Sequence, residues 1–301
     1  MIQELTTLLL NNQNPDGGWG SSRGKASNTE VTSLAVMALA ALNPDSKAEH
    51  YRRGVTWLAQ RQATDGSWPL SDGSKLPSWS TAMAMLALGI SQENQIRAVK
   101  AAKWVLRQEG NRPSLLAKFL FALSFKKRAE LHLNIDLVGW PWLAGNFSWV
   151  EPTSYYVIAL KALKSRLAGV SIDERIKQGE LMIYDRMCQG GGWNYGNSAA
   201  LGEDLWPYPD ITALALIALQ DHPEKEANRQ SLQALKAMLK DVNSGLALSW
   251  SIICLSLYGE DTSEWKNYLE QSFRRTQFLG ETKSVALSLL ALGDGVKFFK
   301  I

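Results

Sequence analysis

What this chain has little of narrows it first. Its two cysteines, Cys188 and Cys254, stand 66 residues apart, which is neither a disulfide framework nor a paired zinc-ligand spacing. The three histidines, His50, His132 and His222, fall in no His-x-x-x-His pattern, so neither a metal centre nor a histidine-based nucleophilic triad is expected. Charge is nearly balanced, with 32 basic and 29 acidic side chains; a nucleic-acid binder would show a concentrated basic stripe. No uncharged apolar run reaches the roughly 18 residues that span a bilayer. The opening MIQELTTLLL has no basic n-region or small-residue cleavage site, so a reducing, cytoplasmic setting is expected. P-loop and dinucleotide-binding glycine fingerprints are missing too.

What is present is repetition. Residues 13–19 read QNPDGGW and residues 62–68 read QATDGSW, both Gln-x-x-Asp-Gly-x-Trp. QGGGW at 189–193 is a shortened copy, and GNFSW at 145–149 keeps only the small residues and the tryptophan. The glycines permit positive φ after a helix end, and the aspartates can accept from neighbouring amides. The tryptophan can pack between successive hairpins while the glutamine bonds exposed helix ends. On this reading Asp16 and Asp65 are turn residues.

After these turns come segments with a Ser/Thr start followed by Ala and Leu on nearly all sides: 31–42, 80–90, 114–125, 152–163, 211–220, 249–259 and 283–293. A helix apolar all round is a buried helix. Amphipathic segments alternate with them, at 48–62, 94–108, 173–187 and around 226–240 and 263–273. Buried and amphipathic helices alternating every 40–50 residues describe a ring of helical hairpins, each burying its face against its neighbours. The expectation is an all-α fold, an α/α toroid of six or seven hairpins spanning 1–301 as one domain. Residues 131–145 alternate with period two and then turn to Gly, Pro and Trp, so they should be irregular.

A Gln-x-x-Asp-Gly-x-Trp turn between an amphipathic and an Ala/Leu-rich helix resembles the repeat of squalene–hopene cyclases and related terpenoid cyclases, and that of protein prenyltransferase β subunits. The resemblance covers nearly the whole chain. It implies the toroid and an isoprenoid small molecule as partner. Class II cyclases carry an Asp-x-Asp-Asp-Thr-Ala motif whose middle Asp protonates the substrate. Aligned on Thr212-Ala213, Asp210 falls at that proton-donor position, with Tyr208 and Ile211 replacing the flanking acids. No Asp-x-Cys followed by a later His matches the prenyltransferase zinc site, and no Asp-Asp-x-x-Asp run is found.

In a toroid all inner helices run the same way, so their N-termini gather at one mouth. Glu30, Glu151 and Asp210 stand two residues before their helix Thr, with Glu281 near the last helix. An acid there also complements the helix dipole; like charges crowded at a dry mouth would instead keep one acid protonated. These three are the candidate catalytic acids. Aromatic residues lie at the starts of the same helices or in the loops before them: Trp79, Trp140, Trp142, Trp149, Tyr155, Trp206, Tyr208 and Trp250. Their faces could shield a cation or simply line an isoprenoid pocket. The loop SSRGKASN at 21–28 offers Arg23 and Lys25 to a diphosphate; only with such a substrate would magnesium enter, and no other cofactor is expected. The long loop 193–210 suggests a lid, and Trp140–Trp149 a peripheral membrane contact. Two other readings stand beside acid-initiated cyclisation: a non-catalytic toroid binding an isoprenoid or a protein, and a carbohydrate-active toroid using paired carboxylates.

Overall fold

The computed structural model describes residues 1–42, 48–71, 73–74, 76–112, 114, 116, 133–200 and 203–301. Six inner helices come from the Ala/Leu-rich segments: α2 (Thr29–Ala41), α4 (Ser80–Gly89), α6 (Val150–Ala162), α8 (Pro209–Ala218), α10 (Gly245–Leu257) and α12 (Thr282–Leu292). Six outer helices alternate with them: α1 (Ile2–Asn11), α3 (Ala48–Arg61), α5 (Gln95–Val105), α7 (Asp173–Asp185), α9 (Glu226–Met238) and α11 (Ser263–Thr276).

Each inner helix packs on the next, and α12 packs back on α2, so the ring closes. Each outer helix lies against the inner ring and buries one stripe only. The core is therefore the inner ring itself, buried from nearly every side. This is the α/α toroid expected from the pattern. Because α4 touches α6 directly, six described inner helices complete the ring. The seventh candidate, 114–125, lies outside the described residues apart from Ser114 and Leu116. Residues 133–145 are turns and extended chain, as their sequence suggested.

The turn motif is a staple. Trp19 and Trp68 are fully buried and donate their indole N–H to Leu9 and Leu58 carbonyls of the preceding outer helices, at 2.7 and 2.8 Å. Their backbone N–H groups donate to Thr32 and Thr81 of the following inner helices, at 2.9 and 3.0 Å. That hydroxyl is the reason for the repeated threonine. Gln13 and Gln62 donate to their own turn and on to His50 and Arg97 carbonyls of the next outer helix. Asp16 and Asp65 accept from Gly18 and Ser67 amides. Gly66, at φ 104°, leaves no room for a side chain: a Cβ there would lie 2.4 Å from the Lys100 carbonyl oxygen.

Two assignments change. The third staple along the chain is Trp140, not Trp149: its backbone N–H donates to Thr153 and its indole to Val105. Trp140 is buried under the Arg175 guanidinium, 3.6 Å above the ring, and so is structural rather than part of the mouth. The motif there is split. Gln108 and Gly110 follow the end of the outer helix, Gly139 and Trp140 complete the motif, and Gly110 N–H donates to the Gly139 carbonyl at 3.1 Å. The inserted residues broke the spacing that would have revealed it.

The opposite end of the ring is closed by a last 3-10 turn, Asp294–Phe299. It contacts α2, α6, α10 and α12, reaching across the bore. Phe299 is fully buried, and Gln220 holds the segment by donating to the Phe299 carbonyl at 2.8 Å.

Candidate functional site at the ring mouth

Five loops meet on the face where the inner helices begin. Backbone hydrogen bonds chain them together: Thr29 to Leu70, Trp79 to Trp142, Val150 to Tyr195 and Thr282 to Ser21, at 2.8–3.3 Å. Second positions of the inner helices are occupied by Glu30 in α2, Glu151 in α6, Asp210 in α8 and Lys283 in α12. The ring thus brings the three predicted acids together around an ammonium. Lys283 was not foreseen. Helix α12 lacks the Trp–Thr staple, so its phase was set by Glu281, which is in fact its exposed N-cap and takes a hydrogen bond from Ser284.

Lys283 Nζ pairs with Glu30 Oε1 at 2.7 Å, both side chains mostly buried. Burial works to discharge this lysine, but Glu30, Glu151 and Glu281 outweigh it and hold the ammonium above its ordinary value. Glu151 has no such direct partner. Burial pushes its carboxyl up to about 8; Lys283 pulls the other way, while Glu30 and Asp210 push further up. Glu151 is therefore protonated at neutral pH. Burial also raises Asp210, against hydrogen bonds from the Ile211 and Asp210 amides and the charge of Lys283. One neutral acid beside a carboxylate–ammonium pair is an arrangement that can deliver a proton.

Below Glu151, one helical turn on, the Tyr155 hydroxyl donates to its Oε1 at 3.4 Å. Tyr155 meets Trp250 of α10 across the bore at 6.0 Å, and Trp250 meets Phe299 edge-on at 5.3 Å. All three are buried, so the bore beneath the acids is filled with aromatic rings. Trp79 and Trp250 keep buried indole N–H groups with no partner.

Above the acids an aromatic arc follows the rim. Trp79 stands edge-on to Trp142 at 4.8 Å, Trp142 lies 6.5 Å from Tyr195, and Tyr195 lies 5.7 Å from Tyr208. Tyr195, another residue the sequence did not single out, is close enough to Asp210 and Glu151 that, with burial, they raise its hydroxyl. Trp149, Tyr195, Trp206 and Tyr208 line an open groove of about 360 Å3. Trp206 is 84% exposed. It follows a short hairpin, β1 (Ala199–Ala200) with β2 (Glu203–Asp204), in the loop predicted as a lid. Arg23 and Lys25 are exposed, on a loop beside α12 rather than over the acids. Arg23 and Ser22 line a separate shallow pocket with Gln277 and Gly280.

Metal-ligand spacing occurs among the described residues at Glu180, Asp221 and His222. The Lys161 ammonium already sits between Glu180 and Asp221, at 2.5 and 2.6 Å, which supplies the positive charge those carboxylates need.

These features define an all-helical toroid with an acid-and-aromatic mouth. Residues 2–124 match the family model described as the squalene-hopene cyclase N-terminal domain. The chain folds as an α/α toroid. Among solved structures it is similar to the type II terpene cyclase MstE from Scytonema, 18% identical over 91% of this chain and 77% of that one, with a TM-score of 0.55. A variant of that cyclase in complex with geranylgeranyl dihydroxybenzoate aligns over 99% and 96% at 16% identity, TM-score 0.58. An alpha-amylase from Clostridium perfringens aligns over 100% and 98% at 12% identity, TM-score 0.66. At these identities the likeness is one of fold. No curated protein matches the sequence. Among the described residues, no helix is long and apolar enough to cross a membrane.

Proposed function

We propose that the protein takes an isoprenoid chain at the ring mouth and starts carbocation chemistry there by proton transfer, with Glu151 as the acid. The observation that carries this reading is the buried Glu151 carboxyl, without an ammonium partner of its own and pushed up to about 8, at a mouth bordered by an aromatic arc. A positive charge developing in the substrate would face the rings of Trp79, Trp142, Tyr195 and Tyr208, each worth about 0.5–2 kcal/mol to a cation. Glu30 adds negative charge, and its pair with Lys283 holds that ammonium back. Asp210, the position that aligns with the cyclase proton donor, then stands as a neighbouring carboxyl whose own pKa burial raises. The aromatic filling of the bore confines the substrate to the mouth and the adjoining groove.

A second reading is favoured by that open groove. Exposed aromatic faces beside two carboxyl groups suit a sugar, and an acid near neutral pKa suits protonation of a glycosidic oxygen. Incubation with farnesyl diphosphate, geranylgeranyl diphosphate, squalene and α-linked oligosaccharides, read by mass spectrometry, separates the two. A cyclised isoprenoid that disappears in Glu151→Gln supports the first; sugar products support the second. No product from any substrate, with isoprenoid binding retained, would leave a binding protein and overturn the catalytic reading.

A further inference from the structure

We propose that the hollow behind Trp149 seats an uncharged, oxygen-bearing end of the substrate, so that the protein selects an isoprenoid alcohol or carbonyl compound over a diphosphate or a hydrocarbon. This rests on the isoprenoid reading of the mouth and adds the substrate's polar end to it. The hollow holds about 270 Å3. Trp149, Gly196 and Asn197 line both it and the mouth groove, so the two adjoin across one wall. Small-ligand sites occupy about 300–1,000 Å3. The groove alone is at the low end of that range, and groove and hollow together fall well inside it. A linear molecule lying in the groove therefore has room to continue past Trp149.

The period-two stretch before the third staple builds one side of the hollow. Leu133, Ile135 and Leu137 line it, while the alternate residues Asn134 and Asp136 are exposed. The strip is clamped to the end of α7. Asn134 N–H donates to the Asp185 carboxylate at 3.0 Å, and Arg186 donates to the Asn134 carbonyl at 3.4 Å. With Trp149 opposite, the lining is mostly apolar. That suits a ligand of chain-like body with few polar atoms.

Arg186 decides what those polar atoms are. Its side chain lines the hollow and is only 9% exposed. A guanidinium carries five N–H groups. Asp185 and the Asn134 carbonyl accept from two of its nitrogens, and the remaining donors have no partner among the described residues. Asp185 also cancels the positive charge, so the site offers hydrogen bonds without net attraction for an anion. No other basic side chain lines the hollow or the groove among the described residues. Glu203 and Asp204 add negative charge on the exposed hairpin before Trp206. A diphosphate here would be desolvated without a counter-charge. A hydrocarbon would leave the buried donors unpaired. A hydroxyl or carbonyl oxygen accepts from them and brings no charge.

Equilibrium dialysis of the full chain with radiolabelled farnesol, farnesyl diphosphate and farnesene tests this, since the three share one chain and differ at its end. Farnesol should bind roughly tenfold more tightly than either of the others. Arg186→Met, made together with Asp185→Asn so that no carboxylate is left unpaired, should bring farnesol down to the level of farnesene. Ile135→Trp fills the hollow and leaves the ion pair intact; it should weaken farnesol binding at least tenfold. Circular dichroism and melting establish that each variant is folded, and if the double variant is not, Ile135→Trp decides. Farnesyl diphosphate or farnesene binding as tightly as farnesol would overturn the proposal, as would wild-type affinity for farnesol in a folded Ile135→Trp. Failure of all three ligands to bind removes the isoprenoid reading and this proposal with it. Binding that is indifferent to the hollow removes this proposal alone, and Glu151→Gln should leave farnesol affinity unchanged.

Discussion

Replacing Glu151 by Gln probes the electrostatic centre of the mouth. An ordinary glutamate titrates near 4.5, whereas burial lifts Glu151 to about 8. Between those values the folded protein binds a proton that the unfolded chain does not. Stability must then be greatest at the acid side of the window and fall as pH rises from 4.5 to 8. The slope is about 1.4 kcal/mol per pH unit, so the whole window is worth about 5 kcal/mol at most. For a chain of this size that is a shift in melting temperature on the order of 10 °C. Glutamine is neutral at every pH and keeps the shape. The assay is thermal melting of both proteins from pH 5 to 9. Glu151→Gln should match the wild type most nearly at pH 5, exceed it increasingly up to about pH 8, and keep a constant margin to pH 9. Melting curves that stay parallel across that range would refute the assignment of a protonated acid.

Other expectations follow from the same geometry. Lys283→Met breaks the 2.7 Å pair and leaves Glu30 uncompensated; it should cost about 3–5 kcal/mol, and adding Glu30→Gln should restore most of the lost melting temperature. Trp19→Phe keeps an aromatic side chain but removes the indole donor to Leu9 and some buried volume, so urea unfolding should show a loss of at least about 1–3 kcal/mol; an unchanged midpoint would mean the staple holds nothing. Phe299→Ala should cost about 3–5 kcal/mol and open the bore to small apolar molecules such as benzene, which would raise its melting temperature and not that of the wild type. Cys188 and Cys254 are buried, which raises both thiols; a thiol reagent at pH 8 should label them only on unfolding.

The residues by themselves determined the periodicity. Ala/Leu-rich helices with no polar face can only be buried, and amphipathic ones can only cover them, so the hairpin ring was legible before any coordinates. The turn aspartates were legible too, since Asp-Gly after a helix end has a local explanation. Glu30, Glu151 and Asp210 could be placed at one mouth because each stands a fixed distance before a threonine. Lys283 could not, because α12 lacks that threonine and its phase is fixed only by where the helix begins in space. Trp140 was misassigned for a similar reason: an insertion separates it from Gln108, and only the bond to Val105 shows which staple it completes. Tertiary structure alone decided that the bore is filled, since Phe299 comes from the far end of the chain, and that Leu279 points outward, since its exposure follows from a left-handed turn anchored by Phe278 on Gly245. Pattern fixes which faces must be hidden; charge pairing, plugging and display depend on distances between residues far apart in sequence, which no local pattern contains.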